Sequence, residues 1–165
     1  MRLAAASIIA FGLAAAPAAR AAVTAPQVPA GQSKPVTAPY DTTADAHKAV
    51  DTAFARAKAE LKTVLIDFGG NWCPDCRILA GVMANPALAP WIEQHFVVVK
   101  VDVGRYDRNM DLEAKYGGAA KGVPAVIAVT PEGKILNPDD TRALADARSM
   151  SDQAVADKLA GWAPG

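Results

Sequence analysis

Cysteine and histidine are nearly absent: two of each occur in 165 residues. Two cysteines cannot form the multi-bridge framework of a small secreted scaffold, so buried apolar side chains must hold the fold. Zinc needs four ligands, and the remaining soft donors, His47 and His95, are not spaced as a pair, which argues against a metal site. An excess of charge is missing too. The 17 basic side chains match 17 acidic ones, without the basic surplus of a nucleic-acid binder. Aromatics make up only 6%, and alanine, a poor core-filler, inflates the 52% hydrophobic share. Dense Val, Ile, Leu and Phe from Thr63 onward still exclude wholesale disorder. The length suits one domain, or one domain with a tail.

The apolar stretch from Leu3 to Ala16 follows Arg2 and precedes Ala19-Arg20-Ala21, a small-x-small cleavage pattern. Residues 1–21 therefore read as a secretory signal peptide. The run falls short of the about 20 residues of a comfortable membrane span. An uncleaved anchor, holding the protein on the inner membrane facing the periplasm, is the alternative. Cleavage removes Arg2 and Arg20 and no acid, leaving a slight negative balance. The product belongs in an oxidising, extracytoplasmic compartment, the periplasm of a bacterial cell. Residues 22–42 carry Pro26, Pro29, Pro35 and Pro39 among Thr, Gln, Ser and Gly, which predicts an extended linker with no packed core.

Residues 43–163 form the domain. Ala46, Ala49, Val50, Ala53, Phe54, Ala57 and Leu61 recur at helical spacing over about 18 residues. The run from Thr63 to Phe68, bounded by Gly69-Gly70, predicts a buried strand. A helix opening near Cys73, a break at Asn85-Pro86 and a second helical piece ending near His95 follow. Phe96 to Asp102 is the second strand, and Arg108 to Tyr116 is a short helix closed by Gly117-Gly118. Ala125 to Val129 is the third strand, and Pro131-Glu132-Gly133 turns it into a fourth at Lys134-Ile135-Leu136. Ser151 is a good cap for the last helix, which runs to Trp162. This order predicts an α/β fold with a mixed central sheet and helices on both faces. The first strands, separated by helices, should pair in parallel, and the final hairpin should be antiparallel.

The sharpest local feature is Trp72-Cys73-Pro74-Asp75-Cys76, where a strand gives way to a helix. Free N–H groups and the helix dipole stabilise a thiolate on the first cysteine. The second lies one turn on, close enough to attack a mixed disulfide formed at the first. Pro74 suits the first helical turn. A purely structural disulfide would close a very small loop, where the entropic benefit is least. A chance pair of core cysteines would not account for the proline and the turn. Redox chemistry is the reading these residues favour.

In order and approximate spacing, Val64 to Phe68, then Trp72 to Cys76, then Gly122-Val123-Pro124-Ala125 resemble the landmarks of the thioredoxin superfamily, across about Thr43 to Trp162. The resemblance implies Cys73 as attacking nucleophile and Cys76 as buried resolving thiol. It implies Pro124 as a cis-proline facing the disulfide and Val123 offering its backbone to a substrate strand. Trp72 would rim the site as a docking surface, with Pro74 and Asp75 on the same substrate-facing side. By itself, Pro124 reads equally well as a trans proline at a strand edge. The implied activity is thiol–disulfide exchange on disulfide-bearing proteins by a monomer without a cofactor, re-reduced by a membrane thiol reductase. An oxidase or isomerase of the same fold, or a non-catalytic binding or metal-delivery module, are the competing functions.

Asp67 interrupts an apolar strand, where burial should raise its pKa. Such a carboxylate could take the proton from Cys76, the role an acid has at the matching position in the family. Asp75 stands where a small or basic residue is more usual. Its charge should disfavour the Cys73 thiolate and make the couple more reducing, unless it is exposed and screened. Gly69-Gly70-Asn71 replace a bulkier segment, which predicts a more open cleft. Gly118 to Lys121 lengthen the approach to Gly122, and Asn137 to Met150 form a polar extension. Asp102 to Asn109 mix both charges and read as a solvated loop, with no role for Tyr106.

Overall fold

A computed structural model describes residues 23–31, 33–117 and 122–164. The expected signal peptide and the 118–121 lengthening lie outside the described residues. Helix α1 (Ala46–Glu60) begins at Asp45, whose carboxylate accepts from the Lys48 N–H at 3.0 Å. Strand β1 (Thr63–Gly69), helices α2 (Pro74–Met83) and α3 (Ala89–His95) and strand β2 (Phe96–Asp102) follow. Helix α4 (Met110–Tyr116), strand β3 (Ala125–Val129), a 3-10 turn (Ala147–Ser149) and helix α5 (Asp152–Ala160) complete the order. The Ser151 hydroxyl caps α5 by accepting from Ala154 N–H.

Every residue of β1 is buried, because the strand lies at the centre of the sheet, in the order β2-β1-β3. β1 and β2 are parallel, with Asp67 opposite Lys100; β3 runs antiparallel to β1. Strand alternation splits the core in two. Val64, Ile66 and Phe68 pack with α1 and α4, while Leu65 faces α2, α3 and α5 together with Val126 and Ala128. The helices thus cover both faces, as expected. Asp67 and Gly69, at the same parity as Leu65, belong to the α2 side.

The fourth strand is reduced to one bridge, Val129 to Ile135. Beyond it, the side chain of Asn137 takes the place of a strand. Its Oδ1 accepts from Ala128 N–H at 2.9 Å and its Nδ2 donates to the Val126 carbonyl at 2.8 Å. A buried amide, with one donor and one acceptor in use, satisfies β3 where a ladder would otherwise run.

The proline-rich segment is extended but is not a free linker. A chain of this kind satisfies few of its own backbone groups, and here the domain supplies the partners. Val28 enters the core, and its N–H donates to Gln153 at 2.8 Å. Ser33 donates twice to Asp152, through N–H at 3.1 Å and hydroxyl at 2.5 Å. Val36 and Arg77 exchange two hydrogen bonds, at 2.9 and 3.1 Å. The arm ends at Tyr40, whose backbone N–H and carbonyl are both bound by the Asn71 amide at 2.9 Å.

Candidate active site

Leaving β1, the chain turns through Gly69-Gly70-Asn71-Trp72 into α2. Cys73 is the N-cap, its Sγ accepting from Cys76 N–H at 3.2 Å, and Pro74 occupies the first turn. The two cysteines form a disulfide, with Cα atoms 5.3 Å apart. Cys76 is fully buried and Cys73 retains 3% exposure, between the exposed Trp72 and Pro74.

Across from the disulfide, the Val123 carbonyl oxygen lies 3.6 Å from Cys73 Sγ, and the Val123–Pro124 peptide is cis. Gly122 enters this loop at φ +120°, in the left-handed region, and a Cβ there would run into the Arg142 guanidinium. Beside Pro74, a cleft of about 290 Å³ is lined by Pro35, Arg77, Ile78 and Arg148. Pro35 puts the N-terminal arm into the wall of the site.

The Asp102–Asn109 stretch is not simply solvated. Trp72 donates its indole N–H to the Gly104 carbonyl at 2.5 Å. Tyr106 meets the indole edge-on at 5.9 Å, and the Arg105 guanidinium lies 5.1 Å from its ring centroid. Trp72 and Tyr106 together make an exposed aromatic surface next to Cys73. Nothing in the spacing of Tyr106 points to this.

Asp67 is completely buried. Burial pushes its carboxyl up to about 6, although the Lys100 ammonium and the Tyr40 hydroxyl each favour the charged form. Oδ1 accepts from Tyr40 at 2.9 Å, while Oδ2 has no hydrogen-bond partner among the described residues. Tyr40 packs with Cys73, Cys76 and Val123. The cleft is therefore not opened by the small residues at 69–71: the Tyr40 ring fills the space at Gly69, and Trp72 covers Gly70.

Asp75 is neither exposed nor free. Its two oxygens accept from the N–H and the Nε of Arg148, each at 3.0 Å. The polar extension before α5 thus delivers a guanidinium to the active-site helix, and its Leu144 and Ala147 enter the core. The Asp75 carboxylate is held by Arg148. Among the described residues, no group of three or more His, Cys, Asp or Glu is placed to hold a metal ion.

The chain is similar in sequence and fold to known proteins. A solved structure described as a disulphide isomerase from Xylella fastidiosa Temecula1 is 44% identical, with a TM-score of 0.71, covering 74% of this chain and 94% of that one. Thioredoxin from Buchnera aphidicola is 33% identical over 66 residues, 40% of this chain and 54% of its own. Thiol:disulfide interchange protein DsbD 2 of Pseudomonas aeruginosa is 32% identical over 102 residues, 56% of this chain and 17% of that protein. The chain thus spans about half of that thioredoxin and a small part of the interchange protein. The thioredoxin-like family model matches residues 45–131, from the cap of α1 past β3 and including both cysteines and Pro124. With that match added to the β-α-β frame around the cysteine pair, the chain belongs to the thioredoxin-like family.

Proposed function

We infer that this protein is a thiol–disulfide oxidoreductase that reduces disulfides of other proteins outside the cytoplasm. The observation carrying this is the buried Asp67 on the face of β1 turned to α2, hydrogen-bonded to the Tyr40 that packs against the Cys73–Cys76 pair at the helix start.

In the reduced protein, the Cys73 thiolate attacks a substrate disulfide. One substrate sulfur leaves as a thiolate and takes a proton from water, and the other becomes bonded to Cys73. Cys76 then gives its proton to Asp67 and attacks the Cys73 sulfur. The second substrate thiolate leaves, and Cys73–Cys76 closes. Two electrons have passed to the substrate, so each cycle needs a dithiol donor, which in an oxidising compartment means a membrane thiol reductase. Helix N–H groups favour the Cys73 thiolate. Val123 offers its carbonyl to an extended substrate strand held against Pro124, with Trp72 and Pro74 as the flanking surface. An acceptor for the Cys76 proton speeds disulfide closure, the step that completes reduction. Asp75 adds less than an unpaired carboxylate would, because Arg148 offsets its charge.

Residues 1–21 act as the export signal in this reading, and the working site is the periplasm. Among the described residues, no helix is long and apolar enough to cross a membrane. The test is reduction of insulin disulfides by the purified protein, together with trapping by Cys76→Ser. The variant should accumulate protein partners on Cys73. Failure of both would overturn the reading. Isomerase activity, suggested by the description of the Xylella protein, would appear as reactivation of scrambled ribonuclease without an external reductant.

A further inference from the structure

Tyr40 lies outside the segment matched by the family model, which begins at residue 45. It belongs to an arm with a proline-rich composition, and no sequence pattern gives it a role. Yet its side chain is buried, at 2% exposure, and its hydroxyl reaches the interior of the active site. Four features converge there. The hydroxyl donates to Asp67 Oδ1 at 2.9 Å. The same hydroxyl, together with Cys76 Sγ at 3.0 Å, borders the place where a Cβ of Gly69 would stand. Asn71 holds the Tyr40 backbone from both sides. Asp67 Oδ2 is left without a hydrogen-bond partner among the described residues.

Resting on the reductase reading above, we propose that Tyr40 is the positioning residue for Asp67: its hydroxyl fixes Oδ1 and favours the carboxylate form, leaving Oδ2 to receive the Cys76 proton. Tyr40 itself keeps its proton. Burial and the nearby carboxylates of Asp67 and Asp102 raise its own pKa well above the ordinary phenol value, so it remains a donor across the working pH range. The charged and titratable groups around Asp67 are Lys100 from β2, Tyr40 from the arm and Cys76 from α2, with Asp102 acting on Tyr40; the β3 neighbours are Ala125 and Val126, which do not titrate. Gly69 is what admits the ring. The arm is therefore part of the catalytic apparatus rather than a tether.

The test is Tyr40→Phe, which keeps the ring on Gly69 and the cysteines and removes only the donor. Two measurements are made on the full mature chain. The first is a carbon-13 NMR titration of the Asp67 carboxyl in the oxidised protein, which requires no turnover. A hydrogen bond to a charged group changes an equilibrium by roughly tenfold or more. The Asp67 midpoint should therefore move upward by about one pH unit in Tyr40→Phe. An unmoved midpoint overturns the proposal. The second is the pH profile of insulin reduction. Tyr40→Phe should lose about threefold at pH 6.5 and match the wild type at pH 8.5, once Asp67 is again ionised. A uniform loss at all pH values, or none, also overturns it. In an Asp67→Asn background, the hydroxyl deletion should have no further effect on the profile. A wild-type protein that reduces no disulfide would bring down the reductase reading alone, since the NMR titration still decides whether Tyr40 governs Asp67.

Discussion

The tip of the Tyr40 side chain occupies the place where a Cβ on Gly69 would stand. The glycine and the tyrosine are one packing solution split between two parts of the chain. Gly69→Ala should push the ring out, because the obstructing hydroxyl ends a rigid ring clamped at its backbone by Asn71. Overpacking of this kind costs about 1–3 kcal/mol. Urea denaturation should show that loss, and the Asp67 carboxyl should lose its donor at the same time. An unchanged midpoint would mean that the ring has room to yield.

Asp67→Asn should stabilise the protein at neutral pH. The folded state holds the Asp67 proton more tightly than the unfolded chain does, with a pKa pushed by burial up to about 6 from its ordinary 3.8. Stability therefore falls as pH rises between those values, and the full cost is present above pH 6. The difference corresponds to about 3 kcal/mol, which Asn avoids. Wild-type stability should rise on acidification from pH 7 to 4.5, and that of the variant should lack this gain. Turnover should move the other way, with a loss of about 100-fold at pH 7 because the Cys76 proton has lost its acceptor.

Arg148→Ala should act on Cys73 without touching it. Asp75 would then keep its negative charge in the first turn of α2 with its guanidinium partner gone, opposing the thiolate that the helix start favours. Iodoacetamide labelling of reduced Cys73 at pH 7 should slow by about threefold to tenfold, and the redox couple should become more reducing. The stability loss should be small, about 1 kcal/mol, since the Arg148 side chain is largely exposed. Faster labelling would show that Asp75 does not oppose the thiolate.

Asn137→Ala should leave the Ala128 N–H and the Val126 carbonyl without their buried partners. Each orphaned group costs about 1–3 kcal/mol, so a loss of about 2–6 kcal/mol in urea unfolding is expected. Amide exchange in β3 should accelerate before that in β2. Asn137→Asp should be almost as damaging, because a carboxylate cannot donate to the Val126 carbonyl.

Read one residue after another, the chain already shows its strands, its helices and its cysteine motif. Thr63 to Phe68, Phe96 to Asp102 and Ala125 to Val129 are β-branched or apolar runs closed by glycine, aspartate or proline turns, and the structure has a strand at each. Ser151 announces α5 because a cap acts on residues three positions away. Cys73 and Cys76 meet because one helical turn separates them. These are short-range relations, and a local pattern carries them in full.

The surroundings of the disulfide were decided at longer range. The Tyr40 hydroxyl crosses 27 positions to Asp67, Trp72 reaches 32 to Gly104, and Arg148 reaches 73 to Asp75. None of these partners bears a local mark. A tyrosine among prolines and an arginine in a polar stretch look like surface residues until packing brings them inward. The same applies to the fourth strand, where the turn signal at Pro131 to Gly133 predicts a hairpin and the structure has its turn and one antiparallel bridge, but beyond it the Asn137 side chain takes the β3 backbone groups. Hydrogen-bonding periodicity is written along a chain; which distant group satisfies a buried donor or fills the hollow over a glycine depends on the shape the whole chain makes.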